Sequence, residues 1–134
     1  MLTRFLAMQS DFAYACLRVV SGLLFAVHGM QKVLGVLPIP EMPTLPAFGS
    51  QMWFGGVIEL VTGLAITFGV FTSWAAFLAS GTMAVAYIQF HWQFRFDQNF
   101  FPAINHGEPA LLYAFLFLFI ACRGAAGASG RKPG

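Results

Sequence analysis

Long apolar stretches alternate with short polar segments along the chain, and four of the apolar stretches are long enough to form membrane-spanning helices. Such a helix needs about 20 mainly apolar residues to cross about 30 Å of hydrocarbon. The pattern therefore predicts an all-α integral membrane protein, a four-helix bundle, with spans at roughly 13–35, 51–70, 72–91 and 106–124. The whole chain, 1–134, is interpreted as a single transmembrane domain.

The segments between the predicted spans differ in composition. Residues 36–50 contain four prolines, which disfavour a helix and favour extended chain. Residues 69–73 form a very short link, so the second and third spans are expected to make an antiparallel hairpin. Residues 90–105 mix aromatic with polar side chains, which is typical of the membrane–water boundary.

Composition supports a lipid bilayer as the main partner of this chain. Hydrophobic residues make up 58% and charged residues 9% of the sequence, and mean hydropathy is +0.73, whereas a soluble domain carries about a quarter charged residues. The scarcity of polar residues excludes a disordered chain. The seven Lys and Arg residues are scattered and form no basic stripe, which argues against nucleic acid as a partner.

The distribution of basic residues predicts the topology. Four spans place both termini on one side, which carries Arg4, Arg123, Arg131 and Lys132, against Arg95 on the other side. The positive-inside rule then places both termini in the cytoplasm. The N-terminal segment shows no small-residue cleavage site, so the first apolar run is expected to remain as a permanent span.

Ionisable residues inside the predicted spans require partners, because a charge at the bilayer centre costs about 2.5–3.5 kcal/mol. At about 1.5 Å per residue, His28 lies about 10 Å and Glu59 about 12 Å from the outer boundary, so these two are expected to pair. Lys32 and Glu108 lie nearer the outer surface and form a second expected pair. The boundaries are uncertain by about 6 Å, so the two pairs could be exchanged.

Arg18 begins a stripe of residues on one face of the first span, at spacings of four and three: Arg18, Gly22, Phe25, Gly29, Lys32. Two interpretations of Arg18 stay open. Its side chain either extends to the cytoplasmic surface or turns into the bundle with the rest of the stripe.

A second stripe, Gly55, Glu59 and Gly63, lies on the second span. Small residues allow close helix approach in lipid. Glu59 is either a hydrogen-bonded residue within this packing seam or a functional carboxyl that faces an interior cavity.

The segment before the fourth span has the pattern of a helix start. Asn105 and Glu108 have the spacing of a capping box, and Pro109 suits a first helical turn. A helix N-terminus within a pocket also attracts polar ligands, so both roles remain open.

The chain shows no motif of a known catalytic centre. The spacing of its three histidines, His28, His91 and His106, is not diagnostic of haem or metal, and we expect neither. A proton relay through His28, Glu59 and Glu108 is favoured instead. Cys16 and Cys122 are interpreted as small apolar packing residues. Any redox role would need a lipid-soluble partner such as a quinone, or another subunit.

Three blocks of the sequence resemble the DoxX family of small bacterial membrane proteins. They are RVVSGLLFAVHGMQKV at 18–33, GVIELVTGL at 56–64 and FFPAINHGEPALLY at 100–113. The resemblance implies a four-helix protein of the bacterial cytoplasmic (inner) membrane, in a family associated with membrane oxidoreductase systems. Two positions depart from the family pattern: His106 replaces the middle glycine of Asn-Gly-Gly-Glu, and Pro109 replaces a small or apolar residue.

The combined interpretation is a bundle with a polar pocket in its outer half, which serves as an accessory or quinone-linked subunit of a membrane oxidoreductase system. The alternatives are a small-molecule binder or carrier and a structural subunit of a larger membrane complex. No catalytic residue can be assigned. The pocket candidates are Arg18, His28, Lys32, Glu59, Asn105, His106 and Glu108.

Overall fold

The computed structural model describes residues 1–125, and most of them are helical. The α-helices are α1 (Leu2–Met8), α2 (Ser10–Leu34), α3 (Gln51–Phe68), α4 (Thr72–Ala86), α5 (Pro102–Asn105) and α6 (Glu108–Arg123). A π-helical segment, Tyr87–Trp92, continues α4, and a 3-10 turn spans Gln98–Phe100. Within residues 1–125 the extended pairing amounts to an isolated bridge between Ile39 and Met42, so the predicted all-α class is confirmed. Arg131 and Lys132, which contributed to the predicted topology, lie outside the described residues.

Two of the described helices are long and apolar enough, by length and composition, to cross a membrane. They are α2 and α3. The third predicted span is divided between α4 and the π-helical segment. The fourth predicted span is the 16-residue helix α6, which begins at Glu108 rather than at 106.

The long helices pack as two closely associated pairs, α2 with α3 and α4 with α6. A tight hairpin joins the pairs, and Gly69 there adopts the left-handed conformation that ends α3. Side chains from both pairs meet in the core, where the ring of Phe25 lies 4.7 Å from that of Phe117. Both rings are fully buried, together with Ile66 and Ile120.

Glycines bring the backbones of α2 and α3 into direct contact. A Cβ atom on Gly63 would lie 2.5 Å from the nitrogen of Ala26, and one on Gly56 would lie 2.6 Å from the Cβ of Lys32. Gly22 and Gly29 are equally crowded from the α2 side. We call Gly22, Gly29, Gly56 and Gly63 the glycine seam.

The predicted stripe of Gly55, Glu59 and Gly63 on the second span is wrong in one member. A Cβ atom built on Gly55 would meet no atom of the described residues within 4 Å. Gly56, not Gly55, lies against α2. The reason is helical geometry. Residues seven apart, such as Gly56 and Gly63, differ by only about 20° around the helix, whereas residues eight apart differ by about 80°. Gly22 and Gly29 on α2 have the same spacing of seven, so the two helices match.

Large apolar side chains cover the outside of the helices. Trp74 is 79% exposed and Leu112 is 69% exposed, and Phe77 and Phe115 are exposed as well. Soluble monomers rarely show continuous apolar surfaces of this kind. The outer surface is therefore suited to lipid.

The segment after the π-helix forms a cluster of rings around Trp92, with centroids of Phe94, Phe96 and Phe100 at 5.1–5.9 Å. The same segment holds a local polar turn. The backbone N–H of Asn99 and the guanidinium of Arg95 both donate to Asp97, and they hold the pKa of that carboxyl below its usual range. The turn fixes the chain beside the rings.

Candidate functional site

A cavity of about 1030 Å³ lies between α3 and α4 and extends to α2 and to the start of α6. Apolar and aromatic side chains make up most of its wall, among them Phe25, Trp74, Phe77 and Tyr113. The polar residues of the wall include His28, Lys32, Gln51, Glu59, His91 and His106. Four predicted pocket candidates, His28, Lys32, Glu59 and His106, therefore line one space.

Lys32 and Glu59 form an ion pair in this wall. The Nζ atom of Lys32 lies 2.6 Å from Oε1 of Glu59, whose side chain is only 3% exposed. The expected pairing of His28 with Glu59 is wrong: His28 lines the cavity, but the carboxylate binds Lys32. Helical side chains lean toward the N-terminus of their helix. In antiparallel helices that lean moves Lys32 and Glu59 toward each other, an effect that a depth calculated from Cα positions omits.

The second carboxylate oxygen of Glu59 has no hydrogen-bond partner among residues 1–125. Oε2 is buried and accepts no hydrogen bond from the described part of the chain. A buried acceptor that lacks a donor costs about 1–3 kcal/mol, and more when it is charged. Glu59 also lines the cavity, so a donor held there lies next to this side chain.

Arg18 faces the bundle but lies away from the cavity. Its Nη1 atom donates to the carbonyl oxygens of Ile66 and Thr67, the latter at 3.1 Å. These are among the last carbonyls of α3, where a cation is favoured by the helix dipole. The inward orientation of Arg18 is thus observed, with the role of capping α3.

Asn105 is buried and connects three neighbouring parts of the chain. Its amide nitrogen donates to the carbonyl of Asn99 at 2.9 Å and to the hydroxyl of Tyr87 at 3.3 Å. Its amide oxygen accepts the backbone N–H of Gly107 at 2.8 Å. A Cβ on Gly107 would lie 2.6 Å from the ring of Tyr87, so this turn needs glycine.

The predicted capping box is wrong. The N-cap of α6 is Gly107, and no side chain caps it. The reason is that His106 adopts a left-handed conformation and breaks the helix between Asn105 and Glu108. Glu108 lies on a second cavity of about 420 Å³, between α2 and α6, so the second expected pair, Lys32 with Glu108, is wrong as well. Of the exchanged pairs, the one observed is Lys32 with Glu59.

His106 carries backbone strain at the edge of the main cavity. Its φ angle is +59°, which costs a non-glycine residue about 1 kcal/mol or more. The glycine expected here from the family pattern would adopt this conformation without strain. His106 also lines the cavity, so its side chain is a candidate ligand contact.

His91 is a cavity residue that the sequence analysis did not place among the pocket candidates. Its Nδ1 atom lies 3.1 Å from the carbonyl oxygen of Asn105. A carbonyl only accepts hydrogen bonds, so Nδ1 of His91 is the donor in this contact. The ring of Tyr87 stacks on His91 with a centroid distance of 6.4 Å. The π-helical turn creates this arrangement, and no sequence signal identifies such a turn.

Gln51, which lines the cavity, connects the start of α3 with Gln89 of the π-helical segment. Their side-chain amides exchange two hydrogen bonds, of 2.6 and 3.1 Å. Gln51 begins α3 and Gln89 belongs to the π-helical segment.

The helical fold, the apolar exterior and the cavity are those of a small helical membrane protein. The chain belongs to the DoxX family, because the family model described as DoxX matches residues 13–92, from α2 to the end of the π-helical segment. The resemblance inferred from the sequence is therefore confirmed. A protein of Haemophilus influenzae, described only as uncharacterized, is 41% identical over 112 residues, which cover 83% of this chain and 82% of that protein. No solved structure matches the chain.

Proposed function

We propose that the protein is an accessory subunit of a membrane redox system and that it binds a lipid-soluble quinone in the cavity between α3 and α4. The observation that carries this proposal is the character of the cavity: a large apolar space with a small set of polar side chains. Ligand sites have typical volumes of about 300–1,000 Å³ and this same composition. A quinone ring with part of its isoprenoid tail fits such a space.

The position of the opening supports a ligand that enters from the bilayer. Trp74, Phe77 and Leu78 line the cavity and are also exposed on the outer surface of α4. A molecule dissolved in lipid reaches the cavity through this side without crossing water. The polar wall offers donors to its ring oxygens, since the Lys32 ammonium has three protons and Glu59 Oε1 takes one.

The membrane arrangement belongs to the same proposal. Helices α2 and α3 cross the inner membrane, α4 with its π-helical continuation and α6 complete a four-helix bundle, and both termini are cytoplasmic. Single cysteines at Thr3 and Thr44, in a Cys16→Ala/Cys122→Ala background, test the orientation with an impermeant thiol reagent on whole cells. We expect labelling at position 44 and none at position 3. The reverse pattern would invert the topology.

Tryptophan fluorescence tests quinone binding directly. Trp74 lines the cavity, whereas Trp92 lies in the ring cluster beyond it. We propose two single-tryptophan proteins in lipid nanodiscs, one that keeps Trp74 and one that keeps Trp92, with the other tryptophans changed to Phe. Decylbenzoquinone should quench Trp74 saturably and Trp92 only in proportion to its concentration in the lipid. Proportional quenching of both would reject the cavity as a quinone site.

The accessory role needs a second experiment. Purification in mild detergent should recover redox subunits together with the chain, and mass spectrometry should find quinone in the same fraction. Flux of a solute across vesicles that contain the protein alone would instead support a carrier. Stable co-purification with partners but without bound ligand would support a structural subunit.

A further inference from the structure

We propose that Glu59 recognises a ring hydroxyl of the ligand, so that the cavity prefers the reduced, hydroxyl-bearing form of a lipid-soluble ring, a hydroquinone or phenol, over the oxidised quinone. This inference rests on the proposed function in one respect, that the cavity holds a ring lipid. It adds which redox form is held and which atom selects it.

Oε2 of Glu59 is the atom on which this proposal depends. Glu59 is buried, Oε1 is bound by Lys32, and Oε2 has no hydrogen-bond donor among residues 1–125. Buried polar atoms in native proteins are almost always paired, and an exception needs an explanation. A donor that arrives with the ligand supplies one, because Glu59 is part of the cavity wall.

The charge of the Glu59 side chain decides which ligand groups it can bind. The contact of 2.6 Å with the Lys32 ammonium is an ion pair, so the carboxylate is ionised. An ionised carboxylate only accepts hydrogen bonds. A hydroxyl therefore binds to Oε2, whereas a quinone carbonyl, which is also an acceptor, is repelled.

The cavity favours a phenolic hydroxyl over an aliphatic one. Hydrogen bonds from O–H to a carboxylate are short and about twice as strong as neutral ones, and a phenolic O–H is a better donor than an aliphatic one. The same cavity presents the rings of Phe25 and Tyr113, whose centroids are 6.0 Å apart. Aromatic rings pack favourably on one another in offset or edge arrangements, so the wall suits an aromatic head group.

The wild-type protein provides the first test. Three probes share one ring and tail: decylhydroquinone under anaerobic reducing conditions, its dimethyl ether, and decylbenzoquinone. The amount of each probe retained by nanodiscs that contain the protein is measured, and the amount retained by empty nanodiscs is subtracted. The difference gives a dissociation constant for each of the three probes. We expect the hydroquinone to bind about tenfold more tightly than the other two.

Glu59→Gln provides the second test, because it should invert the preference. Lys32 will hold the amide carbonyl, which places the amide nitrogen where Oε2 was. That position then donates instead of accepting, so the variant should bind decylbenzoquinone more tightly than decylhydroquinone. Glu41→Gln makes the same change at an exposed residue of the 35–50 segment and should keep the wild-type order.

The outcomes separate this inference from the proposed function. Saturable binding of all three probes with equal affinity by the wild-type protein would overturn the role of Glu59 and leave the quinone site standing, with water as the partner of Oε2. Preference of the wild-type protein for the quinone would overturn it as well. Absence of saturable binding for every probe would overturn both.

Discussion

The side chain of Lys32 crosses the contact between α2 and α3: its Cβ atom lies against Gly56, and its Nζ atom reaches Oε1 of Glu59 at 2.6 Å. The absence of a side chain at Gly56 makes room for the stem of Lys32, so the seam and the ion pair depend on one another. The pair places a charged, acceptor-only group in an otherwise apolar wall.

Removal of one member of this pair should cost more than removal of both. Lys32→Met leaves a buried carboxylate without its counter-ion, and Glu59→Gln leaves an ammonium that keeps an acceptor but loses its counter-ion. In reversible unfolding in mixed micelles, the double-mutant cycle should give a coupling free energy of about 1 kcal/mol or more.

His28 supplies the control for that cycle. It lines the cavity, but Glu59 binds Lys32 instead. The effects of His28→Gln and Glu59→Gln should therefore add within about 0.5 kcal/mol. A larger coupling for His28 than for Lys32 would contradict the observed pairing.

Gly29→Ala should separate α2 from α3. The new Cβ would lie 2.6 Å from the carbonyl oxygen of Gly56, and backbone atoms cannot rotate away as side chains do. We expect a loss of about 1–3 kcal/mol in the free energy of unfolding. Gly81→Ala is the matched control, because nothing lies within 4 Å of its Cβ position. It should be neutral or stabilising by up to about 1 kcal/mol, and equal losses for both variants would refute the seam.

Arg18→Lys should destabilise the protein although it keeps the charge. One guanidinium nitrogen reaches two carbonyls at the end of α3, and the ammonium of lysine has neither that reach nor that planar geometry. The expected loss is about 1 kcal/mol, measured as a lower melting temperature in detergent. Arg4→Lys in the exposed helix α1 should change nothing. If Arg18→Lys also leaves the melting temperature unchanged, the contacts of Arg18 with the two carbonyls contribute no stability.

His106→Gly should stabilise the fold and weaken ligand binding. Glycine adopts φ +59° without strain, so the free energy of unfolding should rise by about 1 kcal/mol. His106→Ala separates the effect of the backbone strain from the effect of the side chain, because alanine keeps the strain and lacks the imidazole. It should bind quinone as weakly as the glycine variant but show no gain in stability. A similar gain in both variants would mean that the backbone at residue 106 is not the source of strain.

The helices could be predicted from the sequence because they depend on long-range hydropathy, which is averaged over many residues. The family could also be recognised, since the blocks around Arg18 and Glu59 fall within the matched range. Errors of a few residues at the ends, such as the start of α6 at Glu108, do not change that result.

The pairing of the polar residues could not be predicted, because it depends on rotation and lean rather than on depth. Lys32 and Glu59 meet only when both side chains lean along antiparallel axes. The left-handed backbone of His106 and the π-helical placement of His91 leave no periodic signal. The place of His91 in the cavity wall and the backbone conformation of His106 therefore became visible only in three dimensions.

The two walls of the cavity differ in mechanical stiffness. Where α2 meets α3, backbone lies against backbone at Gly29 and Gly63, with no room for a side chain between them. The opposite wall, α4, is linked to α3 at its far end by the exposed amides of Gln51 and Gln89, which can exchange partners with water. We therefore expect ligands of different width to be accommodated on the α4 side, because α2 and α3, which hold Glu59, have no side chains between their contacting backbones that could rearrange.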